Sequence, residues 1–127
     1  MPIPKEFTPS AGSFTDRTIL ITGAGSGLGR ALAVECARAG ATVILCGRNP
    51  AKLDRVYDEI VSLDAPQPAI AVLDLASATA VDYDALVLTI GAEFGKLDGL
   101  VHTAGLLGDR TQLDQYDVPT WCKVLQV

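Results

Sequence analysis

The feature that most constrains the fold is a strict alternation of short apolar runs with longer amphipathic stretches. Four runs are typical of buried strands: TILIT (18–22), TVILC (42–46), AIAVLDL (69–75) and GLVHTAG (99–105), the last comprising a strand and its exit. Three predicted helices separate them, over about 27–39, 51–63 and 79–95. Strands that alternate with helices pair in parallel through right-handed crossovers. The sequence therefore predicts an α/β protein with a doubly wound parallel sheet.

Composition narrows the functional classes. Hydrophobic residues make up 49% of the 127 residues and charged residues 20%, which suits strands that are buried on both faces. The net charge of −5 without a Lys/Arg cluster argues against a nucleic-acid partner. No stretch approaches the roughly 20 apolar residues that span a bilayer. We therefore expect a cytoplasmic location and no membrane association.

The cysteines and the prolines give two further expectations. Three cysteines without a C-x-x-C spacing indicate neither a disulfide framework nor a metal site. Residues 1–16 contain three prolines, which deny the backbone helix and ladder hydrogen bonds, so an extended arm is predicted there. The folded unit is predicted over 17–127, and Asp117 is expected to cap its last helix.

A glycine-rich loop, TGAGSGLG, runs from Thr22 to Gly29 between the first strand and the first helix. Glycines at 23, 27 and 29 would let a diphosphate approach the backbone N–H groups at a helix N-terminus. The spacing is G-x-x-x-G-x-G, and no G-K-[ST] follows that would indicate a P-loop. In this position the loop predicts a dinucleotide site. The alternative is that the glycines serve only a tight turn and close helix–strand packing.

The loop resembles that of the short-chain dehydrogenases/reductases, whose pattern is T-G-x-x-x-G-x-G. Three further segments agree with this family: GRN (47–49), LDL (73–75) and HTAG (102–105), the last where the family has N-N-A-G. The resemblance covers about residues 14–127. It implies a Rossmann-type sheet with strand order 3-2-1-4, in which 17–127 form the N-terminal part of one domain and the C-terminal catalytic part is absent.

The resemblance also implies a set of cofactor-binding residues. These are Gly23, Ser26, Gly27, Leu28 and Gly29 at the diphosphate, Asp74 and Leu75 at the adenine, and Thr103, Ala104 and Gly105 at the ribose. Asp74 could instead cap a helix, and Gly105 could serve only a turn. Thr103 departs from the expected asparagine. The single histidine, His102, is expected to be structural.

The residues after the second strand favour NADP(H) over NAD(H), which remains possible. An enzyme that uses NAD places an acidic residue there, and its carboxylate would repel a 2′-phosphate. Here Gly47 takes that place, and Arg48 can offer a guanidinium to the phosphate. The alternative is that Arg48 is a solvated loop charge. The glycine loop also lacks a second basic residue, because Ser26 stands where one could lie.

The family resemblance implies a serine, a tyrosine and a lysine four residues after that tyrosine as the catalytic groups. No tyrosine in this sequence is followed by a lysine four residues later, because the residues at those positions are Val61, Val87 and Thr120. The chain is therefore predicted to contain no catalytic residue and to be inactive alone. The predicted parent activity is hydride transfer between NADP(H) and a small carbonyl or alcohol substrate.

Two alternatives stay open, and one expectation concerns assembly. The chain could be a non-catalytic or truncated nucleotide-binding module, while a methyltransferase fits the glycine loop less well. The fourth predicted strand is apolar on both faces and would present an unpaired edge. We therefore expect the chain to associate, as a homo-oligomer or as part of a longer polypeptide.

Overall fold

The computed structural model of the protein describes residues 8–127. The elements, in chain order, are β1 (Thr18–Thr22), α1 (Gly27–Arg38), β2 (Thr42–Gly47), α2 (Pro50–Val61), β3 (Ala69–Val72), α3 (Ala80–Phe94), β4 (Gly99–His102), a short 3-10 turn (Leu113–Gln115) and α4 (Val118–Gln126). Strand and helix alternate throughout, as the hydrophobic pattern predicts.

The four strands form one parallel sheet in the order β3-β2-β1-β4. This confirms the predicted fold class and strand order. The central strands β1 and β2 pair from Thr18 opposite Thr42 to Thr22 opposite Cys46. Ile21 and Leu45, which pair with each other, are fully buried. The β-branched and aliphatic runs therefore form the centre of the sheet, where neither face meets water.

Helices cover both faces of the sheet. Helices α1 and α2 pack on one face, where Leu53 and Ile60 of α2 are fully buried in the same cluster as Ile21. On the other face, Ile90 of α3 packs against Leu20 of β1 and neighbouring residues of β2. The sheet is thus doubly wound. Its carboxyl edge, where the strand–helix loops lie, is left to form a site.

Strand β3 is shorter than its apolar run predicts. Pairing of β3 ends at Val72, whereas the predicted strand extends to 75. Strand β4 ends at His102, within the predicted run 99–105 that comprises the fourth strand and its exit. After β3 the chain turns, and the carboxylate of Asp74 accepts a hydrogen bond from the backbone N–H of Ala76 at 3.0 Å. The residues beyond both strands are therefore loops at the carboxyl edge of the sheet.

Residues 11–16 form turns and differ from the extended arm predicted for 1–16. The backbone N–H of Phe14 donates to the carbonyl of Ala39 at 2.9 Å, which attaches these turns to the end of α1. Gly40, at φ +97°, ends that helix in the left-handed region. Residues 1–7 of the predicted arm lie outside the described residues.

The edge of the sheet formed by β4 is partly exposed to solvent. Leu100 on β4 is 52% exposed, and helix α4, which Asp117 caps through the backbone N–H of Thr120, has no buried residue. Over residues 8–127 no helix has both the length and the apolar character needed to cross a membrane.

Candidate functional site

A cleft of about 280 Å³ opens at the carboxyl edge of the sheet. Loops after all four strands line it, including Gly23 after β1, Arg48 after β2, Asp74 after β3 and Ala104 after β4. In an open α/β sheet this edge is where ligands bind, next to the point at which the strand order reverses. In the order 3-2-1-4 that point lies between β1 and β4.

The glycines of the loop have different roles. Gly23 and Gly27 have φ angles of +66° and +54°, in the left-handed region that favours glycine. A Cβ on Gly23 would lie 2.8 Å from the backbone nitrogen of Ala104, and one on Gly29 would lie 2.2 Å from the carbonyl oxygen of Gly23. A Cβ on Gly27 would meet nothing within 4 Å. Gly23 and Gly29 therefore allow close packing, while Gly27 leaves the backbone open to a ligand.

Helix α1 begins without a side-chain cap. The Ser26 side chain makes no capping hydrogen bond, and no acidic residue lies in the first turn. By contrast, Asn49 caps α2 and Asp117 caps α4. The first backbone N–H groups of a helix need partners and carry the positive end of its dipole. Since Ser26 lines the cleft, these groups lie where an anion could bind them.

Hydrogen bonds hold the loop around this helix start. The backbone N–H of Ala24 donates to the carbonyl of Cys46 on β2 at 3.1 Å. The Thr22 hydroxyl oxygen accepts hydrogen bonds from the backbone N–H groups of Thr103 and Ala104, each at 3.3 Å. The Thr103 hydroxyl donates to the carbonyl of Thr22 at 2.6 Å. The loops after β1 and β4 and the end of β2 are thus tied together, and the Thr103 hydroxyl is already hydrogen-bonded within the protein.

The structure brings most of the predicted site residues together. Those that line the cleft are Gly23, Ser26, Arg48, Asp74, Leu75, Thr103, Ala104 and Gly105. Gly27, Leu28 and Gly29 are not part of the lining. Leu28 is 69% exposed on α1, and Gly29 packs against the loop. Only the main chain of these three residues is therefore placed to serve a ligand at the helix start.

Several lining residues were not predicted from the sequence, among them Asn49, Lys52, Leu106 and Val127. Lys52 had a recognisable signal. Asn49 followed by Pro50 is a typical helix start, which places Lys52 in the first turn of α2, at the same edge as Arg48. Leu106 and Val127 had no such signal, since their positions depend on the path of the loop after β4.

The charged side chains that line the cleft are two cations, Arg48 and Lys52, and one anion, Asp74. Both cations are exposed, and neither forms a salt bridge with any residue from 8 to 127. The Asp74 carboxylate accepts the Ala76 N–H within a turn and does not cap a helix, because Thr79 is the cap of α3. Burial raises the pKa of the Cys46 thiol, which keeps it in the neutral form. The cleft thus favours an anionic ligand.

No group of three His, Cys, Asp or Glu side chains within 8–127 is arranged to hold a metal ion. His102 lies exposed on β4. The groups at the cleft that can bind an anion are the backbone N–H groups at the start of α1 and the cations Arg48 and Lys52.

The family model of the short chain dehydrogenases matches residues 17–127 of the chain. The chain belongs to the short-chain dehydrogenase family. The resemblance carried by the glycine loop and the three later segments is thereby confirmed.

Individual relatives of the chain support the same family. The chain is 40% identical over 121 residues to the uncharacterized oxidoreductase YciK of Escherichia coli K12, covering 95% of this chain and 48% of that protein. A short chain dehydrogenase structure from Escherichia coli CFT073, complexed with NADPH, matches with a TM-score of 0.90 and 43% identity, over 94% of this chain and 50% of the other. One from Shigella flexneri 2a, complexed with NADP, gives 0.89 and 40%, over 93% and 49%. The chain spans about half the length of these short-chain dehydrogenases.

Proposed function

We propose that residues 17–127 bind NADP(H) in the cleft, as part of an oxidoreductase that transfers hydride between this cofactor and a small carbonyl or alcohol substrate. The observation that carries the proposal is the start of α1. It is uncapped, adjoins the cleft and has an open backbone at Gly27. That arrangement suits a diphosphate. The related structures with NADP and NADPH support the same cofactor.

Each loop has a proposed part in binding. The main chain of Gly23, Ser26, Gly27 and Leu28 would hold the diphosphate, with Gly29 allowing the helix to approach. Asp74 and Leu75 would border the adenine, and Thr103, Ala104 and Gly105 the ribose. When bound, the nicotinamide supplies or accepts the hydride. The chain's own contribution is to bind and orient it.

Arg48 is the proposed determinant of NADP(H) over NAD(H). It follows Gly47 at the end of β2, where an acidic side chain would repel a 2′-phosphate. Arg48 lines the cleft, and its guanidinium has no carboxylate partner within the described chain. A guanidinium presents a planar fork that matches phosphate oxygens.

The test is a fluorescence titration with NADPH and NADH. We expect NADPH to bind more tightly, and Arg48→Ala to remove or reverse that preference. Arg55→Ala is the matched control, because Arg55 is an exposed arginine of α2 that does not line the cleft. It should leave both affinities unchanged. Wild-type protein that binds neither dinucleotide would contradict the proposal.

A second candidate function is nucleotide binding without catalysis. It is favoured by one observation: no tyrosine in the chain is followed four residues later by lysine. We propose that the 127-residue chain binds cofactor but does not turn over. NADPH-linked reductase activity of this chain would overturn that statement. Sequencing the coding region beyond Val127 distinguishes an oxidoreductase from a non-catalytic binding module. A short-chain oxidoreductase is expected to carry a serine and Y-x-x-x-K there, and a binding module is not.

We also propose that the 127-residue chain self-associates. Leu100 on the edge strand and Leu125 on α4 are 52% and 71% exposed, and an apolar strand edge pairs readily with another chain. Sedimentation should detect a species larger than the monomer. A single monomeric boundary at micromolar concentration would count against this proposal.

A further inference from the structure

A lysine from the second helix lies against the glycine loop. The loop itself carries Ser26 and no basic residue. A Cβ built on Gly25 would lie only 3.0 Å from the Cβ of Lys52. The stem of this lysine therefore packs over the loop, and the residue lines the same cleft as Arg48. The tertiary fold thus supplies the second cation that the loop lacks.

The local structure holds the Lys52 backbone in this place. Its N–H donates to the side-chain oxygen of Asn49 at 3.2 Å, the cap of α2. Pro50 occupies the start of the helix, where its restricted φ is already helical. The next residue, Leu53, is fully buried under the helix. The Lys52 backbone is thus anchored on both sides, while its ammonium group stays exposed.

We propose that Lys52 and Arg48 together bind the 2′-phosphate of NADP(H), so that Lys52 contributes to the choice of NADP(H) over NAD(H). This inference rests on the proposed cofactor. A phosphate monoester carries about −1.5 to −2 charges at pH 7, more than one guanidinium neutralises. Two cations without carboxylate partners in residues 8–127 match that charge.

Contact of Lys52 with the diphosphate and contact with the 2′-phosphate would affect dinucleotide binding differently. If Lys52 reached the diphosphate, which NADP(H) and NAD(H) share, its removal would weaken both dinucleotides equally. If it bound the 2′-phosphate, its removal would weaken only ligands that carry this group. The ratio of the two dissociation constants therefore separates the two arrangements.

The experiment compares Lys52→Ala, Lys52→Arg and the control Arg55→Ala for binding of NADPH, NADH, 2′-AMP and 5′-AMP by calorimetry. For Lys52→Ala we expect about tenfold weaker binding of NADPH, equivalent to about 1.4 kcal/mol. NADH should change by less than about twofold, since it lacks the charged partner. Lys52→Arg should retain most of the affinity, and 2′-AMP should follow NADPH.

Each outcome bears on a separate statement. Equal losses for NADPH and NADH, or no loss for either, overturn the role of Lys52, while the proposed cofactor stands as long as the wild type prefers NADPH. Wild-type protein that binds neither dinucleotide, or both equally, overturns the cofactor proposal itself. Because the Lys52 side chain is exposed, unchanged thermal unfolding of Lys52→Ala verifies that the variant folds.

Discussion

Gly29→Ala tests whether the glycine loop is shaped by close packing. In the structure, a Cβ at this position would lie 2.2 Å from the carbonyl oxygen of Gly23 and 2.5 Å from the hydroxyl oxygen of Thr103. The first contact is with backbone, which cannot rotate away. The second is with a hydroxyl that is already bound to the carbonyl of Thr22. Either the helix or the loop must therefore move.

The expected size follows from two opposing effects. Forcing an extra carbon into a well-packed site costs about 1–3 kcal/mol. Replacing glycine by alanine within a helix returns about 0.5–1 kcal/mol. Gly29 lies in the first turn of α1, so both effects apply. The free energy of unfolding should fall by about 1–2 kcal/mol.

The assay is urea unfolding of Gly29→Ala beside Gly91→Ala. Gly91 lies within α3, where a Cβ would meet nothing within 4 Å, so this control should gain about 0.5–1 kcal/mol of stability. NADPH binding should weaken only in Gly29→Ala, because only there does the loop move. If Gly29→Ala is as stable as the control and binds NADPH normally, the packing argument is wrong.

Three further changes test the surroundings of the site. Asp98→Asn should lower stability at pH 7, because hydrogen bonds, first from the Thr18 N–H, hold the pKa of that carboxyl below its ordinary 3.8. A lowered folded-state pKa stabilises above the unfolded value, so the difference between variant and wild type should shrink as pH falls below about 3.8. Thr103→Val should cost about 1 kcal/mol in urea unfolding, since the Thr22 carbonyl loses its donor. Asn49→Ala should cost about 1 kcal/mol by removing the α2 cap, and an unchanged unfolding midpoint would refute that role.

Much of the fold follows from the sequence because its elements are strongly patterned. The run TILIT is observed as β1 at the predicted residues, because a short β-branched apolar run between a turn and a glycine loop is typical of a buried strand. The strand order follows from the family resemblance and is confirmed. The end of β3 was predicted too late in the sequence, because apolar residues continue past the last ladder hydrogen bond. Periodicity alone does not reveal where pairing stops.

The candidate site was predictable where residues follow a strand directly. Arg48 and Asp74 line the cleft because the carboxyl ends of parallel strands meet at one edge. Lys52 was missed, although the helix start at Asn49 and Pro50 places it at the same edge as Arg48. Its approach to Gly25 was not predictable, because it depends on how α2 packs across the loop. The turns over 11–16 were missed as well. They are attached by a contact with Ala39 that no local pattern predicts.

We propose that the backbone N–H groups at the start of α1, which no side chain caps, hold the pyrophosphate of the cofactor. Amide-resolved NMR titration tests it most directly, with NADPH, ADP and adenosine as ligands. We expect the amide signals of Gly27, Leu28 and Gly29 to shift with NADPH and with ADP, and to stay in place with adenosine, which has no phosphate. Unmoved signals at these three amides in protein saturated with NADPH would contradict it.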